Sequence, residues 1–246
     1  DGVSTREGIR QAIGGVAQRS APGDFVLIVL LGHGSSQGDE ARFNLPGPDM
    51  TAADFASALT PLEGREVAFV NAASASGDFV KALAGKGRVV VTATRSGMER
   101  NETVFGRYFV EAFTGEEADA DKDDRISLLE AFDFARRQTA RFYEEKKRLA
   151  TEHALLEDDG DGVGVAEPGG KTADGSLARR LQLVRVSAGQ AADPLQGEKR
   201  ALEVRIEALK ARKETMESEA YARELETLLL ELARKSQAAR PKEEPK

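Results

Sequence analysis

Hydrophobic residues follow two rhythms along this chain. Phe25-Val26-Leu27-Ile28-Val29-Leu30-Leu31, Glu66-Val67-Ala68-Phe69-Val70 and Arg88-Val89-Val90-Val91-Thr92-Ala93 are nearly continuous apolar runs. Short continuous runs predict parallel strands buried on both faces. Elsewhere apolar residues recur every three or four positions, the helical spacing. Thr5 can cap a helix carrying Ile9, Ile13 and Val16 on one face, and Pro22-Gly23-Asp24 breaks it. Thr51-Ala52-Ala53-Asp54 predicts a second helix start, with Asp54 where a capping box usually has Glu. That helix runs to about Leu59. Further helices are predicted over 77–84, 103–113 and 127 to about 145, with a hairpin around Arg42 to Gly47. Strand and helix alternate, so the expected fold is α/β with a mostly parallel sheet and right-handed crossovers.

The later part of the chain reads differently. Residues 157–176 are rich in Gly and Asp and predict a loop. Leu177 to Val186 is a candidate further strand at a sheet edge. The stretch 189–197 reads as a linker. Beyond it Leu202, Ile206, Leu209 and Met216 keep a helical spacing, and Tyr221, Leu225, Leu228 and Leu232 repeat it. Ser218 between the two series is a plausible N-cap, giving a helical hairpin over 198–237; one long helix is the alternative. Residues 238–246 read as a disordered tail. The organisation expected is thus an α/β domain over 1–188, a linker, a helical hairpin and a tail. The hairpin's narrow apolar stripe suits self-association, a protein partner, or packing on the chain's own sheet domain. Its mixed charges suit a membrane surface poorly.

Composition narrows the function. The chain has 246 residues and a net charge of −7, without a basic patch in the sheet-forming part. This argues against nucleic acid as a partner. No apolar stretch approaches the roughly 20 residues that span a bilayer. There is no cysteine, which excludes disulfides, thiolate metal sites and a cysteine nucleophile. The chain opens Asp1-Gly2-Val3, without Met or a signal pattern. A processed, trimmed or partial chain is expected, and the compartment stays open with a lean to an extracytoplasmic one.

One acidic segment carries recognisable metal chemistry. Residues 119–130, Asp119-Ala120-Asp121-Lys122-Asp123-Asp124-Arg125-Ile126-Ser127-Leu128-Leu129-Glu130, match the twelve-residue EF-hand loop. Asp119, Asp121 and Asp123 stand at positions one, three and five. Arg125 offers its carbonyl at seven, Ser127 stands at the often water-mediated nine, and Glu130 at twelve can bind through both oxygens. Asp124 replaces the usual Gly, a departure Asp tolerates better than most residues. A structural Ca2+ is expected here. A second acidic run, Glu157-Asp158-Asp159-Gly160-Asp161-Gly162, has carboxylates at the same first three positions but Pro168 where the closing Glu belongs. It reads as an Asp/Gly turn rather than a full site.

The strand ends carry the other candidate chemistry. The first apolar run leads into Gly32-His33-Gly34-Ser35, and the second into Asn71-Ala72-Ala73-Ser74-Ala75-Ser76-Gly77-Asp78. Open α/β sheets place their sites at such carboxyl ends, so an imidazole base and a hydroxyl nucleophile can meet there. Gly32-His33-Gly34 resembles the histidine motif of caspase-like peptidases, the superfamily of caspases, metacaspases and legumain-type endopeptidases. Ser74-Ala75-Ser76-Gly77 resembles their Cys-x-Ser-Gly motif. The segment from Ala93 to Glu102 is similar to the one after the next strand in the legumain type. The resemblance covers roughly residues 5 to 160. It implies a caspase-like three-layer α/β/α sandwich, with a strand and helix preceding Asp1. It also implies a protein or peptide ligand, His33 as general base, Ser74 as nucleophile, and the N–H groups of Gly34 and Ser74 as oxyanion hole. Arg95 and Glu99 are candidates for the pocket mouth.

Two departures matter. Ser74 stands where the family has cysteine, and a hydroxyl is a far weaker acid than a thiol. Ala72 stands where metacaspases have an acidic specificity residue. Three explanations stay open: a pseudopeptidase that binds protein or peptide, a serine-dependent endopeptidase, and a cysteine enzyme whose nucleophile was exchanged for serine.

Overall fold

The computed structural model describes residues 2–38, 40–114, 117–169, 172–185 and 218–238, together with 202, 205, 206 and 209. The chain divides into two compact units, Asp1–Val186 and Ser187–Lys246.

The first unit is a mixed α/β fold on a largely parallel sheet. Its strands are β1 (Phe25–Leu30), β5 (Glu66–Asn71), β6 (Arg88–Thr92) and β8 (Leu155–Glu157), in the order β1-β5-β6-β8. β1, β5 and β6 run parallel, with Val26 opposite Val67 and Phe69 opposite Val90. β8 runs antiparallel against β6. Because side chains alternate across a strand, the apolar runs feed two separate cores. Val26, Leu30, Val67, Phe69 and Val90 pack on one face with Ile13, Phe55 and Phe79. These come from helices α1 (Arg6–Arg19), α2 (Ala52–Leu59) and α3 (Phe79–Leu83). Ala68, Val70, Val89 and Val91 pack on the other with Phe105, Phe109 and Phe132, from α4 (Phe105–Glu111) and α5 (Leu128–Glu145). Helices on both faces of one sheet make a sandwich.

Local chemistry sets the helix starts. Thr5 Oγ1 accepts the N–H of Gly8 at 3.2 Å at the head of α1. Thr51 and Asp54 form a reciprocal capping box at α2: Thr51 Oγ1 accepts the Asp54 N–H and Asp54 Oδ2 accepts the Thr51 N–H, each at 3.1 Å. Ser127 and Glu130 do the same for α5.

Three features differ from the pattern-based expectation. The predicted hairpin belongs to a three-stranded antiparallel sheet of β2 (Gly34–Gln37), β3 (Glu40–Phe43) and β4 (Met50–Thr51). It is the β3–β4 connection, with Phe43 opposite Met50. Leu177 to Val186 is not one strand. Gly175, at φ 102°, starts α6 (Ser176–Arg180), and only Gln182–Arg185 is extended, as β9. β9 does not edge the main sheet; it pairs with β7 (Arg125–Ser127), the exit of the 119–130 loop. The sheet edge beside β6 is instead β8, whose three residues are too few to show a period.

In the second unit, α7 spans Ser218–Ala238. Leu202, Ile206 and Leu209 pack with Leu228, beside Tyr221, Leu225 and Leu232. The expected linker and tail, and most of the first helix and turn of the expected hairpin, lie outside the described residues. Among the described residues, no helix is long and apolar enough to cross a membrane.

Candidate functional site

The parallel strands β1 and β5 deliver His33 and Ser74 to the same rim. Both line a cleft of about 260 Å³, with Leu31, Gly32, Ala72, Glu102, Thr103, Gly106 and Arg107. Crowding explains the glycines beside the histidine. A Cβ on Gly32 would stand 2.9 Å from the Phe43 ring, and one on Gly34 would stand 2.2 Å from the Ser74 carbonyl oxygen. That close approach brings the two loops into register: the Ser74 hydroxyl donates to the Gly34 carbonyl at 3.0 Å and accepts the Gly34 N–H at 3.3 Å. Ser74 is buried and His33 is exposed.

The loop after β5 is tightly tied. Asn71 Oδ1 accepts the Ala73 N–H at 3.1 Å. Ala75 sits in the left-handed region at φ 52°, fully buried, and its N–H donates to the Glu99 carbonyl at 2.7 Å. Ser76 is structural. Its hydroxyl lies 3.1 Å from Thr94 Oγ1 and accepts the Thr94 N–H at 3.2 Å, while Thr94 Oγ1 accepts the Gly77 N–H at 3.0 Å. These bonds lock the loop after β5 to the loop after β6.

Arg95 and Glu99 do not line the cleft; they pair with each other at 3.1 Å. Glu99 is nearly enclosed and also holds His153, whose Nδ1 lies 2.5 Å from Glu99 Oε1 and whose backbone N–H donates to Oε2 at 3.1 Å. The neighbouring Glu152 is buried and accepts the N–H groups of Val104 at 2.8 Å and Phe105 at 3.1 Å, and the Tyr143 hydroxyl at 3.0 Å. Burial raises its pKa, although those three donors oppose the shift. It thereby fixes the start of α4, which supplies Gly106 and Arg107 to the cleft wall. Sequence reasoning missed Glu102, Thr103 and Arg107. Their only signal is their place in the loop and helix start after the third parallel strand. Thr103 Oγ1 donates to the Ala72 carbonyl at 2.6 Å, which joins that loop to the cleft floor.

The 119–130 loop brings carboxylate oxygens of Asp119, Asp121 and Asp123 within 4.8 Å of one another, a group that could hold a metal ion. Lys122 and Asp124 both adopt φ 62°, so Asp124 takes the left-handed turn where Gly is usual. The Arg125 N–H donates to Asp123 Oδ1 at 2.9 Å. Glu130 stands at the loop's end with its oxygens on backbone donors: Oε1 accepts from Ala120 at 3.0 Å, and Oε2 accepts from Ser127 at 2.9 Å. Burial, then the Glu130 charge, raises the pKa of Asp121. Concentrated anionic oxygens of this kind suit a hard cation. A second group, Glu157, Asp159 and Asp161, also lies within 4.8 Å.

No protein-family model matches the chain, and no curated protein matches it.

Proposed function

We propose that this chain is a caspase-like, legumain-related peptidase-fold domain that binds a protein or peptide segment at the cleft between β1 and β5 and has given up efficient cleavage. The Ser74 hydroxyl carries this reading. A serine nucleophile must hand its proton to a base, whereas this hydroxyl donates to the Gly34 carbonyl at 3.0 Å. The Gly34 N–H assigned by the resemblance to an oxyanion hole meets the hydroxyl itself at 3.3 Å. The order of motifs supports the ancestry: His-Gly follows β1, Ser-x-Ser-Gly follows β5, and Arg95 to Glu102 follows β6.

A serine-dependent endopeptidase is the second reading, favoured by Ala75. Its left-handed φ of 52° directly after Ser74 is the kind of backbone strain that collects at reactive turns. In that reading His33 is the base, and the Gly34 and Ser74 N–H groups receive the oxyanion once substrate turns the hydroxyl away. Fluorophosphonate labelling of the full chain, with a peptide-library cleavage assay on wild type and Ser74→Cys, separates the readings. The binding reading expects no label at Ser74, no cleavage by wild type, and retention of library peptides. Labelling at Ser74 overturns it in favour of the serine enzyme. Cleavage by Ser74→Cys alone marks a lost or exchanged cysteine enzyme.

The 119–130 loop supports Ca2+ as the resident ion. Asp119, Asp121 and Asp123 would supply side-chain oxygens, Arg125 its carbonyl, Ser127 a water-mediated contact and Glu130 the closing carboxylate. Its role is structural, because β7 ties the loop to β9 and the loop ends in the α5 capping box. The amphipathic stretch 198–237 is the part of the chain suited to self-association or a second protein contact.

A further inference from the structure

The run from Glu157 to Gly162 leaves β8 and passes beside α3, where a Cβ on Gly162 would lie 3.7 Å from the Lys81 Cα. Its backbone repeats the 119–130 loop step for step. In the first loop Asp119 accepts the Asp124 N–H at 3.0 Å, Asp121 accepts from Asp123 at 3.2 Å, and Asp123 accepts from Arg125 at 2.9 Å. In the second, Glu157 accepts from Gly162 at 3.4 Å, Asp159 accepts from Asp161 at 2.9 Å, and Asp161 accepts from Val163 at 2.7 Å. Positive φ falls at the fourth and sixth positions of both: Lys122 and Asp124 at 62°, Gly160 at 88° and Gly162 at 78°.

Wiring alone does not make a site, but Glu157 adds an independent observation. It is 0% exposed. One carboxylate oxygen accepts the Gly160 N–H at 2.6 Å, while Oε2 is buried without a hydrogen-bond partner. Among the described residues, no Lys or Arg forms an ion pair with Glu157, Asp159 or Asp161. A buried, unpartnered carboxylate oxygen is costly. The same carboxylate faces those of Asp159 and Asp161, all within 4.8 Å. A proton would answer Glu157 alone; a cation answers all three.

We propose that Glu157, Asp159 and Asp161 form a second divalent-cation site of the calcium class, with the Val163 carbonyl at the seventh position of the loop. Asp158 is excluded as a ligand because its oxygens accept the N–H groups of Gly175 and Ala178, each at 2.8 Å, at the start of α6. Pro168 stands at position twelve, so the ligand set lacks the bidentate carboxylate. Affinity therefore falls in the weak class of about 10⁻⁴ to 10⁻³ M.

Calorimetric titration of the full chain with calcium chloride tests this on three proteins: wild type, Asp119→Asn/Asp121→Asn, and Asp159→Asn/Asp161→Asn. Asp159 and Asp161 are exposed, so their amides leave the fold intact, as far-UV circular dichroism will register. The first-loop variant is expected to keep one weak equivalent of calcium, and the second-loop variant to lose that equivalent. Glu157→Gln, which keeps the shape and removes the charge, loses the same equivalent and melts higher than wild type in chelator. The proposal is overturned if the folded first-loop variant takes up no calcium to about 10 mM. Wild-type stoichiometry in the folded second-loop variant overturns it equally. Each loop is titrated with the other disabled, so failure here is distinct from failure of the first site.

Discussion

Gly34 engages Ser74 through both of its backbone polar groups. Ser74→Ala leaves that carbonyl and N–H without their partner, and a stability loss of about 1–2 kcal/mol is expected from urea denaturation. Gly34→Ala acts on the same contact from the other side. Its Cβ would meet the Ser74 carbonyl oxygen at 2.2 Å, a backbone atom that cannot swing away. Thermal melts should show a loss above about 2 kcal/mol, together with loss of peptide binding at the cleft. The crowding was legible in the sequence, because only a residue without a Cβ tolerates it and two such residues flank His33. The direction of the Ser74 hydroxyl was not, since it depends on a loop forty residues away. Nor was the Glu99–His153 pair, which joins positions 54 residues apart with no local pattern to announce it.

Two carboxylates, one in a capping box and one in the acidic loop, make opposite predictions about pH. Burial tends to raise the Asp54 pKa, but hydrogen bonds from Thr51 and the charges of Arg6 and Arg10 outweigh it and leave the pKa lowered. A lowered folded pKa stabilises above the ordinary value of 3.8, and that stability is lost as pH falls through the folded pKa. Asp54→Asn should therefore cost about 1 kcal/mol at neutral pH and almost nothing in strong acid, read from urea midpoints across pH. Asp121 behaves in reverse. Its pKa is raised, first by burial and then by the Glu130 charge. In chelator its contribution is present below 3.8 and is lost as pH rises through the folded pKa. Calcium should flatten that limb of the profile. The α2 capping box was readable because Thr-x-x-Asp is a local device, whereas Ser127 and Glu130 read as loop positions nine and twelve and their capping box emerged from the structure. β8 was not, because three residues carry no periodicity and their pairing with β6 is a long-range choice.

For the whole unit, calcium bound at the proposed first site would act by mass action on the folded state. At about a hundredfold excess over the dissociation constant, a single site contributes about 2.7 kcal/mol. Scanning calorimetry should show wild type melting well below its calcium-loaded value in chelator, and Asp119→Asn should remove most of the difference. The α/β class and the parallel direction of β1, β5 and β6 followed from three uninterrupted apolar runs, which only a sheet covered on both faces can bury. The strand order and the diversion of β9 to β7 did not follow, because neighbours in a sheet are chosen by packing rather than by any one segment's composition.

The reversal of β8 has one last consequence. β1, β5 and β6 all finish at the rim that bears His33 and Ser74. β8 begins there, with Leu155 beside Thr92, and runs back to the middle of β6, with Glu157 beside Val90; beyond it a Cβ on Gly160 would lie 3.6 Å from Gly85, ahead of β6. The carboxylates of Glu157, Asp159 and Asp161 are therefore carried away from the cleft end of the sheet. An ion at the proposed second site would brace this unit away from the proposed recognition cleft, so the lifetime of the fold and the grip on a ligand should respond to separate substitutions.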